Sequence, residues 1–202
     1  MTYFPFRYSL NIEKQILWYL LAIIFFRKSY KKILDAGCGL GQNIRFFKFE
    51  EYLGIDIDPK RIARNKVKFN INKINFKSHD VIKEAPNFNN NYNLVVLIQV
   101  LTNSFFNTKE VKTALRNLIE VCQEKFVFNT SSKNTDQIHD INIFLDKSKI
   151  KYKTINYGIP KNLRKIKLPL ISQLIALIYL LFILIDNKIM SNVKIIYICE
   201  IR

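Results

Sequence analysis

Three glycines at alternate positions follow a short apolar run in the first quarter of the chain. Residues 33–41 read Ile-Leu-Asp-Ala-Gly-Cys-Gly-Leu-Gly, and residues 42–47 have a helical pattern. Glycine has no Cβ, so the backbone can turn tightly there and a ligand can approach it closely. The unpaired N–H groups at the start of a following helix would point at the same place. The segment therefore predicts a turn that binds a nucleotide-like cofactor.

The spacing of these glycines separates two kinds of cofactor. The dinucleotide fingerprint is G-x-G-x-x-G, whereas Gln42 stands where its third glycine would fall, which disfavours NAD. About twenty residues further on, a second apolar run over 52–57 ends in Gly-Ile-Asp, with Asp56 as its carboxylate. A carboxylate can accept two hydrogen bonds from the hydroxyls of a ribose. The two segments together predict a cofactor that contains a nucleoside.

Two later segments continue the same order of strands and polar residues. Residues 76–81 read Phe-Lys-Ser-His-Asp-Val, and residues 92–103 run from Tyr-Asn-Leu-Val-Val to Val-Leu-Thr-Asn. With the glycine turn and the strand before Asp56, this order resembles class I S-adenosylmethionine-dependent methyltransferases. Two residues depart from the family pattern: Asn93 replaces the usual Asp, and Asn103 replaces a frequent His that could act as a base.

The resemblance implies a protein that binds S-adenosylmethionine and transfers its methyl group. In the family, the residues of the glycine turn surround the methionine and ribose portion. The acid at the end of the second strand binds the ribose hydroxyls, and the residue after it lines the adenine. The acid that ends the third strand lies at the adenine amino group with the next residue beside it, and the end of the fourth strand lies against the methionine. Carried over to this chain, the cofactor-binding residues are Asp35, Gly37, Cys38, Gly39, Gly41, Asp56, Ile57, Asp80, Val81, Ile98 and Gln99.

The chemistry implied by the resemblance needs no nucleophilic side chain. Methyl transfer from a sulfonium is an in-line displacement on an activated carbon, so the protein must mainly position the reactants and exclude water. One weak candidate for a general base is His139, since an unperturbed histidine titrates near neutral pH. The alternative is that His139 is a solvated helix residue. The residues leave transfer to oxygen, carbon or nitrogen open.

Strand-like and helix-like runs alternate along the chain, which predicts an α/β fold with helices on both faces of the sheet. We expect a single domain over residues 1–202, with an N-terminal apolar helix within 1–29 and an apolar helical insertion within 159–193. The resemblance implies a doubly wound, mostly parallel seven-stranded sheet with its last strand antiparallel between the fifth and sixth. The predicted strands lie near 32–36, 52–57, 75–78, 94–98, 126–129, 153–158 and 194–201.

The strong positive charge of the chain raises the question of whether its substrate is a nucleic acid. The net charge is +16, from 32 Lys and Arg against 16 Asp and Glu. Most of the basic residues are scattered, and Lys, Asn and Ile are abundant together, as A/T-rich codons would produce. The Asn/Asp-Pro-Pro-aromatic loop of base amino-methyltransferases is absent, since residues 99–102 read Gln-Val-Leu-Thr. These features disfavour nucleic acid, and an RNA methyltransferase stays as an alternative.

The three cysteines favour a reducing compartment. Cys38, Cys122 and Cys199 have no CxxC spacing and no neighbouring histidine. We expect three buried thiols and no metal site. No small-residue cleavage pattern follows the first apolar run, which disfavours a secretory signal and points to the cytoplasm.

Two basic clusters each adjoin an apolar segment. Residues 27–32 contain four Lys or Arg and follow the apolar run 16–26, while Lys161, Arg164, Lys165 and Lys167 precede the longer apolar run 168–185. Three interpretations of 168–185 remain: a buried helix or dimer face, a helix in the membrane interface, or a span of borderline length. The segment favours a small, lipid-like or carrier-linked acceptor and a peripheral position on the inner face of a membrane. The alternative from another class is a non-catalytic interaction module with this fold.

Overall fold

The computed structural model of the protein describes residues 11–86, 91–101, 106–131, 135–159, 169–185 and 194–201. Its strands are β1 (Ser29–Ala36), β2 (Lys48–Asp56), β3 (Ile74–Ser78), β4 (Tyr92–Leu101), β5 (Cys122–Ser131), β6 (Lys151–Tyr157) and β7 (Lys194–Glu200). They form one sheet in the order β3-β2-β1-β4-β5-β7-β6.

The direction of the last strand confirms the predicted topology. β1 to β6 run parallel to one another, and β7 lies antiparallel between β5 and β6. Lys194, at the start of β7, is therefore opposite both Ser131 and Tyr157, at the ends of their strands. The carboxyl ends of six strands and the start of the seventh meet at one edge of the sheet. Such an edge is where open α/β sheets bind ligands.

Two layers of helices cover the sheet. The helices are α1 (Ile12–Ile24), α2 (Pro59–Lys68), α3 (Thr108–Glu120), α4 (Thr135–Lys147) and α5 (Pro169–Ile185). One apolar cluster joins α1, α2 and α5 to one face of the sheet, and a second joins α3 and α4 to the other face. The three cysteines are buried and free, as their spacing predicts. The fold is thus an α/β sheet covered on both faces.

Local capping fixes where several of these helices begin. The Asn11 side chain accepts a hydrogen bond from the Lys14 N–H at the start of α1, and Asp58 does the same for the Lys60 N–H at the start of α2. Pro59 follows Asp58 at the first helical position, where its missing N–H costs nothing. Asp58 therefore places the first turn of α2 directly after the strand that ends at Asp56.

The connection from β1 to β2 is shorter than the sequence pattern predicts. The segment after the glycines is a 3-10 helix of five residues, Gln42–Phe46, and Phe47 is already extended. Only eleven residues separate β1 from β2, close to the minimum for a crossover between parallel strands. Phe47 is buried and packs edge-on against Phe25 at 4.9 Å, so α1 covers the sheet face that a full helix would cover.

The helix α5 packs against α1 along one side only. Ser172 and Ala176, both fully buried, face inward, and the Gln15 Nε2 donates a hydrogen bond of 3.1 Å to the Ser172 Oγ. Within the described ranges, no helix is long and apolar enough to cross a membrane. The outward side of α5, called the α5 outer face below, is apolar and 42–81% exposed: Ile171, Leu174, Leu177, Ile178, Leu181, Phe182, Leu184 and Ile185.

Candidate cofactor site

A pocket of about 460 Å³ lies at the carboxyl edge of the sheet, between the glycine turn and the start of α2. It is where the sequence predicts the cofactor, at the junction of β1, β2 and β4. Its lining residues are Gly37, Cys38, Gly39, Leu40, Gln42, Asn43, Asp58, Lys60, Arg61, Arg64, Ile98 and Gln99.

The peptide groups on both sides of Gly39 are held by side chains. The Gly39 N–H donates to the Asp56 carboxylate at 2.8 Å, and the Gly39 carbonyl accepts from the Asn65 Nδ2 at 2.7 Å. Asp56 also accepts a hydrogen bond from the Asp58 N–H at 2.9 Å. Asp56 and the buried Asn65 therefore fix the position of the turn before any ligand arrives. Sequence reasoning missed Asn65; its only signal is a polar residue three positions after the buried Ile62 of α2.

The three glycines of the turn all have a positive φ, but for different reasons. A Cβ on Gly41 would lie 2.7 Å from the Phe69 ring, and one on Gly37 would collide with Val100. A Cβ on Gly39 would meet no protein atom within 4 Å. Gly37 and Gly41 are thus required by packing, whereas Gly39 leaves an open backbone surface in the pocket. That surface fits a ligand that approaches the turn closely.

The structure places Asp35 behind the pocket wall and not in it. Its side chain is fully buried, accepts a hydrogen bond from the Tyr52 Oη at 2.7 Å, and accepts another from the Asn43 Nδ2 at 3.2 Å. Burial raises the pKa of Asp35 to about 7, although these two hydrogen bonds act in the opposite direction. Asp35 therefore acts on the pocket through Asn43, which lines it. Neither Asn43 nor Tyr52 is evident from the sequence as a site residue.

We expect Asp35→Asn to become increasingly stabilising as the pH rises from about 4 to 7. In this range the Asp35 carboxyl is ionised in the unfolded chain, where its pKa is near 3.8, and protonated in the folded protein. Folding therefore takes up a proton, and the wild type loses stability as the pH rises towards 7. Asparagine does not titrate, so the difference in unfolding free energy should grow by up to about 4 kcal/mol and then level off. Urea unfolding of both proteins from pH 4.5 to 8 measures it; a pH-independent difference contradicts the argument.

The end of β4 forms the pocket wall opposite α2. Ile98 and Gln99 both line the pocket, as the resemblance implies. Gln99 has a φ of +63°, a left-handed conformation that is uncommon for residues other than glycine. Its N–H donates a hydrogen bond of 2.6 Å to the Asn129 Oδ1 at the end of β5. The wall is thus a strained turn held from the neighbouring strand.

The residues predicted at the adenine lie at the same edge of the sheet but outside the lining of this pocket. Ile57 is 66% exposed directly after β2. The Asp80 carboxylate accepts a hydrogen bond from the Ile82 N–H at 3.0 Å, and the Val81 carbonyl accepts one from the Asn117 Nδ2 at 2.7 Å. These bonds give the segment after β3 a defined shape, and contact of Ile57, Asp80 and Val81 with a cofactor stays a prediction.

His139 lies on the exposed side of α4 and is not among the residues that line the pocket. Its role as a base remains a prediction without support from its position. Asn103 lies outside the described residues, between the end of β4 and α3. The charged residues that line the pocket are instead at the start of α2: Asp58, Lys60, Arg61 and Arg64. Arg61 pairs with Asp58 at 3.2 Å.

A comparison with protein families agrees with this geometry. Residues 33–125, from β1 to the start of β5, match the family model described as a methyltransferase domain. Residues 33–125 therefore form a class I S-adenosylmethionine-dependent methyltransferase domain. The match covers the glycine turn, the start of α2 and the end of β4, which line the pocket, and it covers Asp56, which holds the glycine turn. No curated protein sequence matches the chain.

Solved structures show that the methyltransferase fold extends over nearly the whole chain. The N-methyltransferase NodS from Bradyrhizobium japonicum, in complex with S-adenosylhomocysteine, has a TM-score of 0.65 at 14% identity over 97% of this chain and 91% of that one. Magnesium protoporphyrin IX methyltransferase from Synechocystis, with bound S-adenosylmethionine, has a TM-score of 0.58 at 14% identity, covering 95% and 78%. A TehB-like methyltransferase from Corynebacterium glutamicum has a TM-score of 0.59 at 13% identity, covering 97% and 90%.

The methyltransferase uses S-adenosylmethionine as its cofactor. The pocket residues fit this molecule, because Gly39 offers an open backbone surface and Asp56 is a carboxylate directly beside it. A carboxylate oxygen that accepts one backbone hydrogen bond retains a lone pair for a ribose hydroxyl. The glycine turn and the end of β2 thus provide the groups that fit S-adenosylmethionine.

Proposed function

We propose that this methyltransferase, folded as a single domain over residues 1–202, methylates a small, lipid-like or carrier-linked acceptor at the inner surface of a membrane. The α5 outer face is the observation that supports a membrane. The fold likeness does not choose an acceptor, since NodS is an N-methyltransferase and the Synechocystis enzyme acts on magnesium protoporphyrin IX. The acceptor must be inferred from this chain's own surfaces.

In the proposed site, the described residues position the donor. Asp56 binds the ribose hydroxyls, the open backbone at Gly39 and the amide of Asn43 contact the methionine and ribose portion, and Ile98 and Gln99 close the opposite side. The cofactor, when bound, supplies a methyl group already activated on a sulfonium. The protein's contribution is then orientation and exclusion of water, which together account for a large part of the rate enhancement in such displacements.

The α5 outer face is the feature that requires a partner. Its eight large apolar side chains are about half exposed, and burying the remainder of each would contribute about 1 kcal/mol. Patches of this kind on soluble proteins mark interaction sites. Lys161, Arg164, Lys165 and Lys167 precede the helix directly in sequence. Apolar area beside basic residues is the combination that binds anionic lipid surfaces.

The buried side of α5 sets how the helix would meet the membrane. Ser172 and Ala176 are fully buried against α1, so α5 offers only its outer side to lipid while it stays docked. The proposed helix lies in the membrane interface, parallel to the surface, with the protein body on the cytoplasmic side. The start of α1 lies at the carboxyl edge of the sheet, because the Glu13 carboxylate is 3.6 Å from the Lys194 Nζ at the start of β7. Since Gln15 contacts Ser172, α5 begins near the same edge as the cofactor pocket.

A methyl-label experiment tests the proposed acceptor class. Cells with and without the gene are supplied with labelled methionine, and label is followed in lipid, small-molecule, RNA and protein fractions. We expect a labelled product in the lipid or apolar small-molecule fraction that depends on the gene. Gene-dependent label in RNA would instead support the alternative that the protein is an RNA methyltransferase. If no labelled product depends on the gene and the protein still binds the donor, the result would support a non-catalytic interaction module.

A further inference from the structure

The left-handed backbone conformation at Gln99 costs free energy, which interactions with neighbouring residues must offset. A residue with a Cβ at a φ of +63° is strained relative to an ordinary backbone conformation. Glutamine is not among the residue types, such as glycine, asparagine and aspartate, that favour this conformation. The turn nevertheless forms part of the pocket wall. Interactions from outside β4 must therefore stabilise it.

Asn129 supplies the interaction that holds this turn. Its side chain is fully buried at the end of β5, and its Oδ1 accepts the hydrogen bond from the Gln99 N–H at 2.6 Å. The ladder between β4 and β5 is irregular between Leu97 and Leu101, so this stretch of β4 depends on a side-chain acceptor from β5. This hydrogen bond contributes free energy comparable with the strain at Gln99.

Tyr157 fixes the orientation of the Asn129 carboxamide. The Asn129 Nδ2 donates a hydrogen bond of 2.7 Å to the Tyr157 Oη, which lies at the end of β6. Tyr157 is 1% exposed, and burial raises the pKa of its hydroxyl, so the group stays protonated and neutral. With its nitrogen directed at Tyr157, the carboxamide of Asn129 can present only its oxygen to Gln99. The two residues thus form one unit across β4, β5 and β6.

We infer that Asn129 and Tyr157 are positioning residues for the donor, which act by holding the backbone at Gln99 in the shape of the cofactor pocket wall. This inference rests on the proposed placement of the donor against Ile98 and Gln99. Neither residue lines the pocket, so each acts through Gln99. The unit also reaches α1, because Lys194 pairs with Tyr157 in the sheet and its Nζ lies 3.6 Å from the Glu13 carboxylate.

A comparison of Asn129→Ala with Thr130→Val tests the inference. Thr130 is the next residue of β5, is also fully buried, and its Oγ1 donates a hydrogen bond of 3.2 Å to the Leu101 carbonyl of β4. Each variant thus removes a side-chain hydrogen bond between the same two strands, but only Asn129→Ala releases Gln99. Asn129→Ala also removes the bond to the Tyr157 Oη, which Tyr157→Phe removes alone. Titration calorimetry with S-adenosylhomocysteine should show binding weakened roughly tenfold by Asn129→Ala and within about twofold of the wild type for Thr130→Val.

Two further variants separate positioning from a general loss of stability. Tyr157→Phe keeps the buried ring and should weaken binding by roughly three- to fivefold. Glycine adopts a positive φ without strain, so in a Gln99→Gly background the additional effect of Asn129→Ala should fall below about threefold.

Equal weakening by Asn129→Ala and Thr130→Val, or an unchanged effect of Asn129→Ala in the Gln99→Gly background, would overturn the inference. Should Asn129→Ala not fold, unchanged affinity of Tyr157→Phe would overturn it, and the expected weakening would support it. Failure of the wild type to bind S-adenosylhomocysteine would contradict the proposed donor site itself. Equal binding by the wild type and all variants would leave the donor site in place and contradict only the role of Asn129 and Tyr157.

Discussion

Replacing Asp56 by alanine should weaken the binding of S-adenosylmethionine by about 1.5–3 kcal/mol, or roughly 10- to 150-fold. Two losses combine in this variant. The carboxylate acceptor of the ribose hydroxyls disappears, and the Gly39 and Asp58 N–H groups lose the oxygen atoms that hold them at 2.8 and 2.9 Å. The glycine turn then has to be ordered by the ligand itself. Titration calorimetry with S-adenosylmethionine and S-adenosylhomocysteine measures the effect.

The matched control for this variant is Asp140→Ala. Asp140 lies on α4 and binds Lys112 at 2.7 Å, so its removal also deletes a charged hydrogen bond, but far from the pocket in the fold. We expect its donor affinity to equal that of the wild type. Unchanged affinity of Asp56→Ala, or tighter binding of NAD than of S-adenosylmethionine by the wild type, would refute the assignment of this pocket to the methyl donor.

Polar substitutions on the α5 outer face should release the protein from anionic vesicles. Leu177 and Leu181 are 46% and 53% exposed and lie one turn apart, so Leu177→Asn with Leu181→Asn removes apolar area at the centre of the face without touching its buried side. We expect the wild type to sediment with vesicles that contain phosphatidylglycerol, less so as salt increases, and the double variant to bind at least roughly tenfold more weakly.

Two control variants assign the source of this binding. Val67 is 84% exposed on α2, so Val67→Asn changes an apolar surface residue elsewhere and should bind vesicles as the wild type does. Neutralising Lys161, Arg164, Lys165 and Lys167 should weaken binding by about 1 kcal/mol for each charge, with donor affinity unchanged. If the wild type does not bind vesicles but forms a dimer, and Leu177→Asn with Leu181→Asn abolishes that dimer, the α5 outer face is a contact between two copies of the chain.

The sequence predicts the sheet well because each strand has an apolar run with a defined end. All seven predicted strands exist, and the order of β5, β7 and β6 follows the family topology. The error lies in the segment Gln42–Phe46, where a helical pattern gives only a 3-10 turn. Phe47 explains it, since its burial against Phe25 draws the chain back to the sheet after one short turn. That contact joins residues far apart in sequence, and no local pattern shows it.

The candidate site also contains some residues that the sequence predicts and others that it does not. The glycine turn and Asp56 have local signatures, because a positive φ and a carboxylate at a strand end follow from residue type and spacing. Asn65, Asn129 and Tyr157 have none, since their hydrogen-bond partners lie 26 to 30 residues away. Asp35 is an intermediate case. Its place after β1 is clear from the sequence, but its burial behind Asn43 depends on Tyr52 of the adjacent strand.

The bond between Gln15 and Ser172 joins positions 157 residues apart, and this separation bears on how the protein is made. The ribosome adds about 5–20 residues each second, so α1 emerges roughly 8–30 s before the helix that covers it. During that interval the apolar side of α1 has no α5 to pack against. The nascent chain therefore exposes apolar surface on α1 for most of its synthesis, and we expect this helix to be a place where chaperones bind the chain while it is being made.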